Sequence, residues 1–195
     1  MPTVQDRTSI ANIALTYLGA NRIQSFDQDV EEAAAVRDLY EQAVRECLED
    51  HPWNFAEKAV ALVADATPAR PDYDYSYNMP PDHVATRWLM RGDDGRRSEE
   101  LFRMTDGDKL VTNLQGAWLV YTYRAGEHLF SPLFVAALAH LLAHRLAGPL
   151  TESDSKVEGH YRLYLQTLAR ARNRNGQQDS PEQIDTSTLI RWHNG

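Results

Sequence analysis

Cysteine is nearly absent from this 195-residue chain: Cys47 stands alone, which excludes a disulfide framework and any multi-cysteine zinc or iron–sulfur centre. Glycine and proline are modest, 10 and 9 residues, so the chain is neither collagen-like nor a low-complexity linker. Positive charge is in deficit. Twenty Lys and Arg face 28 Asp and Glu, a formal charge of −8 that disfavours an electrostatic grip on nucleic acid. Long apolar runs are missing too: the richest stretch, Leu133 to Ala147, is interrupted by His140, His144 and Arg145. That is short of the ~20 apolar residues of a membrane span, and it reads as a buried helix of a soluble protein. No basic segment followed by an apolar core opens the chain, so no secretory signal is expected.

What is present is helical period at both ends and strand period between them. Ile10, Ala14, Tyr17 and Leu18 share a helix face, with Thr3 or Thr8 as candidate N-cap and Gly19 as C-cap. A connector carries two apolar pegs, Ile23 and Phe26. A second helix from about Gln28 to Asp50 repeats Ala33, Val36, Tyr40, Ala43 and Cys47, broadened by Val44 and Leu48, until Pro52 stops it. Phe55 to Val63 is ambiguous between strand and helix, whereas Tyr73, Tyr75 and Tyr77 alternate as a strand does. Further strands are predicted at Val84 to Met90, at Leu101 to Met104 and Lys109 to Thr112 across Asp106-Gly107, and at Ala117 to Arg124. Arg91 to Arg97 reads as a polar, mobile loop.

A third helix begins at Ser131-Pro132 and ends at Gly148-Pro149. A fourth, capped by Thr151 or Ser153, presents Val157, Tyr161, Tyr164, Leu165 and Leu168, and the chain turns polar beyond Arg172. The expected class is α+β: a four-helix core from residues 1–52 and 128–175, an inserted antiparallel β region at 53–127, and an extended tail at 176–195.

Chemistry-bearing patterns are sparse. His140 and His144 have the i, i+4 spacing of two zinc ligands, but Leu141 stands where a metalloprotease carries its glutamate, and packing is the competing role. No nucleophile elbow or phosphate loop occurs, and no cofactor or metal is expected. The carboxylate pairs Glu31/Glu32, Asp93/Asp94 and Glu99/Glu100 could serve a hydrolase, yet each lies in a strongly polar run that nothing buries. Arg162, Arg170, Arg172 and Arg174 suit the C-terminal end of a helix or an acidic partner. The tail is the oddity: Ile184, Leu189, Ile190 and Trp192 are anchors that a partner groove, or the chain's own domain, would bury.

The segment Ala11-Asn12-Ile13-Ala14-Leu15-Thr16-Tyr17-Leu18-Gly19, then Ile23-Gln24-Ser25-Phe26 and an Ala-rich acidic helix, resembles the opening of phage head-to-tail adaptor proteins, the tail tubular protein A or head completion family. His51-Pro52-Trp53-Asn54-Phe55-Ala56 is similar to that family's W-x-F-A element, carried by Trp53 and Phe55. Tyr75-Ser76-Tyr77-Asn78-Met79-Pro80-Pro81-Asp82 is similar to its Y-x-Y-x-(L/M)-P-x-D element, carried by Tyr75, Tyr77, Pro80 and Asp82. The likeness covers the first 90 residues; beyond them only the general course matches.

The resemblance implies a non-enzymatic virion protein at the head–tail junction, assembled in the host cytoplasm. Copies would form a dodecameric ring beneath the portal, extending the DNA channel and seating a tubular protein B-like nozzle. It implies that the helices and the tail residues Ile184, Leu189, Ile190 and Trp192 meet the portal protein. The β region, with the loop residues Arg91, Asp93, Asp94, Arg96 and Arg97, would face the nozzle. An acidic lining would let DNA pass without specific binding, and no membrane is involved. The alternative is a virion-associated cell-wall-degrading hydrolase using a carboxylate pair.

Overall fold

The computed structural model describes residues 5–105, 107–151 and 153–177. Among them are four α-helices and two small antiparallel sheets of three strands each, a mixed α+β architecture. Helix α1 spans Arg7–Leu18. Its N-cap is Asp6, whose carboxylate accepts from the Ser9 amide at 2.7 Å; Thr8 lies inside the helix and Thr3 outside the described residues. The helix ends as expected at Gly19, whose φ of 72° is the left-handed geometry that lets its amide reach back to the last turn. Buried Asn12 then clamps the connector: its side chain accepts from the Ile23 amide and donates to the Ile23 carbonyl, both at 2.8 Å. That seats Ile23 and Phe26 in the core.

Helix α2 spans Glu31–Glu49, starting three residues later than the apolar period suggests, because Gln28 is held in a turn by the Gln24 amide. Its whole expected stripe, Ala33, Val36, Tyr40, Ala43, Val44, Cys47 and Leu48, is buried. Helix α3 spans Pro132–Thr151, with Ser131 Oγ accepting from the Phe134 amide. By length and composition alone it could cross a membrane, yet the residues from Phe134 to Ala147 that line its interior face are packed inside the protein.

The Gly148-Pro149 pair does not end α3. Pro149 falls in the last turn, where it leaves one i→i−4 bond unmade, and the Thr151 hydroxyl bonds back to the Ala147 carbonyl at 2.6 Å. Helix α4, Asp154–Gly176, runs past Arg172. Its buried line is Tyr164, Leu168, Ala171 and Asn175; Tyr161 and Leu165, expected on the core face, are largely exposed. All four helices contribute to one apolar cluster, with α3 packed on the other three.

Between α2 and α3 the chain makes a short 3₁₀ turn at Asn54–Ala56 and then strand β1, Glu57–Ala61, settling the ambiguous stretch. The remaining strands are β2 at Tyr75–Asn78, β3 at His83–Met90, β4 at Phe102–Thr105, β5 at Lys109–Thr112 and β6 at Trp118–Tyr123. They form sheets of order β1-β6-β3 and β2-β5-β4. The predicted Asp-Gly hairpin joins β4 to β5, with Gly107 at φ 78°. A second, smaller cluster of Tyr77, Leu89, Leu110, Ala117, Leu119 and Tyr121 fills the space between the sheets.

Candidate functional site

The motif residues divide between the join of helices and sheets, where Trp53 and Phe55 stand, and the interior of the β region, where Tyr75, Tyr77, Pro80 and Asp82 stand. Trp53 is 1% exposed, and its indole donates to the Cys47 carbonyl at 2.7 Å. That carbonyl belongs to the last turn of α2, where no amide remains to bond it. The indole also stacks on Phe55 and meets Phe134 edge-on at 5.1 Å. Arg87, from β3, donates to the Trp53 carbonyl at 2.6 Å, to Glu57 at 2.5 Å and to Thr122 at 3.0 Å, so one guanidinium ties the turn to both strands. From the far side, Asn175 accepts from the Asn54 amide at 3.0 Å and donates to the Asn54 side chain at 3.1 Å.

Asp82 makes a second brace. It takes Lys58 at 2.5 Å and the Tyr121 hydroxyl at 2.9 Å, joining the β2–β3 turn to β1 and β6. Burial acts to raise its pKa, but the hydrogen bonds from Lys58 and Tyr121 outweigh it and hold the carboxyl below the usual carboxylate range. Tyr77 is buried and donates to the Leu114 carbonyl at 2.7 Å; Tyr75 is half-buried and stacks on it. Pro80 is half-buried, and its carbonyl accepts from the His83 amide in the turn before β3. These side chains position the β region rather than present groups to a ligand.

The loop after β3 presents a run of exposed charged side chains. Arg91 to Arg97 is a hydrogen-bonded turn rather than a free loop: the Arg91 amide bonds Arg96, the Gly95 amide bonds Arg91, and Asp94 accepts from the Arg96 amide at 2.9 Å. Arg97 lies over the Trp88 ring, and Ser98 continues back along β3 through the Leu89 carbonyl. Arg91, Asp93, Asp94, Arg96 and Arg97 are all exposed. Arg91 and Asp93 line a cleft of about 750 Å³ with Leu62, Glu100 and Trp118. A neighbouring cleft of about 490 Å³ shares Arg91 and Glu100 and adds Asp72, Glu99 and Leu101. Leu101 and Val63, 81% and 82% exposed, flank this end. Mixed charge around open apolar side chains suits a protein surface more than a small molecule.

The other candidates disperse. Glu31, Glu99, Glu100, Asp93 and Asp94 are exposed, without the burial that raises a catalytic acid. Glu32 accepts from Asn21 at 2.8 Å; hydrogen bonding from its own backbone amide and from Asn21 lowers its pKa, the wrong direction for a general acid. His140 and His144 do not face one another. His140 approaches His160 at 3.4 Å beside Tyr17, while His144 Nδ1 lies 2.9 Å from the Val157 carbonyl. Among the described residues, no group of three metal-ligating side chains occurs. Cys47 is buried, and burial pushes its thiol pKa up. Arg172 bonds the Asp50 carbonyl at 2.7 Å, so that arginine is used within the chain. Ile184, Leu189, Ile190 and Trp192 lie outside the described residues.

Sequence reasoning missed the braces made by Arg87 and Asn175, because each spans long separations and neither sits in a local pattern. The exposed Leu101 and Val63 lie just outside strands β4 and β1, although the sequence placed each within an apolar run. No family model matches the chain, and no curated protein matches it.

Proposed function

We propose that this chain is a structural virion protein of a bacteriophage, the ring-forming head–tail adaptor that joins the portal to the tail nozzle and extends the DNA channel. In this reading the four helices form one core that meets the portal together with the tail, the β region is an insertion between the helix pairs, and its distal clefts receive the nozzle.

The observation that carries the reading is the seating of family-like residues where the β region begins. Trp53 and Phe55 pack that start on the helical core and Arg87 links the Trp53 turn to the sheet, while Asp82 fastens the β2–β3 turn to β1 and β6 within the β region. A fixed angle between two docking ends is what an adaptor needs. A net charge of −8 further favours a channel through which DNA slides without sticking. No cofactor enters this role: its mechanism is assembly, with the tail's anchors Ile184, Leu189, Ile190 and Trp192 buried against the portal.

The test is a chain lacking Ile184 to Gly195, mixed with the portal protein of the same genome. It should retain its helical circular dichroism and lose portal binding. Undiminished binding would remove the tail from the mechanism.

A further inference from the structure

Four strand edges bound the two sheets, and two of them are partly occupied by the chain itself. Along β3, the Met90–Arg97 bridge and the Ser98 amide on the Leu89 carbonyl cover the C-terminal end, and two register shifts break the strand before it. Along β2, the Ala64–Tyr77 bridge and the Asp65 amide on the Ser76 carbonyl occupy part of the edge. The outer edges of β1 and β4 pair with nothing among the described residues.

The direction of their backbone groups follows from the ladders. The Leu62 amide bonds the Ala117 carbonyl at 2.9 Å, one step beyond the Ala61–Trp118 pair. Hydrogen-bonded pairs alternate in antiparallel ladders, so Lys58 and Val60 bond toward β6 while Ala59 and Ala61 turn their N–H and C=O groups outward. Likewise the Met79 amide bonds Asp108, one step beyond Asn78–Lys109, so Leu110 and Thr112 serve β2. Lys109 and Val111 then serve β4, and Phe102 and Met104 on β4 turn outward. All four outward residues are exposed. Both edges are short and carry charges that discourage indiscriminate pairing, Glu57 and Lys58 on β1 and Arg103 on β4, but none of these stands at an outward pair position among Ala59, Ala61, Phe102 and Met104, and neither edge has a proline or a bulge.

We propose that β1 of one copy pairs antiparallel with β4 of the next, joining copies head to tail by strand addition. The register that uses both outward pairs sets Ala59 opposite Met104 and Ala61 opposite Phe102. Each small side chain then faces a large one, a fit that neither edge makes with itself: two β1 edges oppose alanine to alanine, and two β4 edges crowd Phe102 and Met104. Because the two edges differ, the contact is heterologous and propagates until it closes into a ring or runs on as a filament. Closure into a ring rests on the adaptor reading; the pairing of the edges does not.

The test is a full-length chain carrying Ala59→Cys and Met104→Cys, treated with a short bis-thiol crosslinker, alone and with the portal protein. Cys47 is buried and leaves the background low. Directly opposite residues of a hydrogen-bonded pair lie ~5.5 Å apart, within the reagent's reach. The expected product is a ladder through dimer and trimer to higher species. Ala61→Pro removes an outward amide without touching the β6 ladder, and should weaken the ladder about tenfold or more with unchanged circular dichroism. Phe102→Lys on the opposite edge should do the same if the proline variant fails to fold.

A product that stops at dimer, or rings seen by electron microscopy without the cross-link, would overturn the pairing; in the second case the ring reading survives. A ladder of open filaments would keep the pairing and remove the ring. No assembly alone or on the portal would overturn both.

Discussion

Replacing Trp53 tests the join from which the functional reading starts. The indole is 1% exposed and touches Phe55, Phe134 and His51, so truncation to alanine empties a large, well-enclosed volume. Large-to-small changes of this kind cost about 3–5 kcal/mol, the transfer loss plus the cavity left behind. Trp53→Phe keeps much of the volume but strips the donor from the Cys47 carbonyl, a buried acceptor at a helix end. Leaving such a group unpaired costs about 1–3 kcal/mol. Two-state urea titrations of the full chain, followed by far-UV circular dichroism, would give both differences from the midpoint and slope. The predicted order is wild type, then Trp53→Phe, then Trp53→Ala, the last near the edge of folding for a domain stabilised by about 5–15 kcal/mol. A Trp53→Ala midpoint indistinguishable from wild type would refute the claim that this residue ties α2, α3 and the β region together.

Three further outcomes follow from other parts of the molecule. Asp82 has a depressed carboxyl pKa, so its bond to Lys58 stabilises the fold above the unfolded value of about 3.9 and is lost as pH falls through the lower, folded value; Asp82→Asn should flatten the acid limb of a stability–pH curve below about pH 4. His140 and His160 are both shifted down, first by burial; the His160 charge adds to this for His140, while Lys156 and His144 press on His160 against a raising bond from the Tyr17 backbone. Stability contributed by the neutral pair is therefore present above about pH 6.5 and lost as pH falls below it, and His160→Gln should weaken that dependence in thermal melts at pH 5 to 7. Gly19→Ala meets no atom within 4 Å, so its cost is backbone strain alone; about 1 kcal/mol is expected by denaturant titration, with Gly19→Asn milder.

Local patterns carried most of the helical half. The α2 stripe and the Gly19 cap could be read from neighbours three and four residues apart, since the forces that set them act within a turn. The end of α3 could not, because Gly148-Pro149 signals a stop, yet the helix runs on to Thr151, whose hydroxyl bonds back to the Ala147 carbonyl. Helix α4 shows the same limit. Asn173 to Asn175 look like loop, but Asn175 finds its partners more than a hundred residues away at Asn54 and His51. The β order was equally hidden: strands paired by a two- or three-residue turn announce themselves, whereas β1 with β6 and β2 with β5 close over long separations. At the candidate site the charged turn Arg91 to Arg97 was visible, while its cleft with Trp118 and Glu100 exists only after the sheets form.

The central claim is that this chain forms a ring between portal and nozzle. Electron microscopy of the full chain mixed with the portal protein of the same genome measures it directly. The account predicts an added ring of density beneath the portal, with the helical part against it and the β region facing away. Bare portals beside free chains across a range of salt concentrations would contradict it.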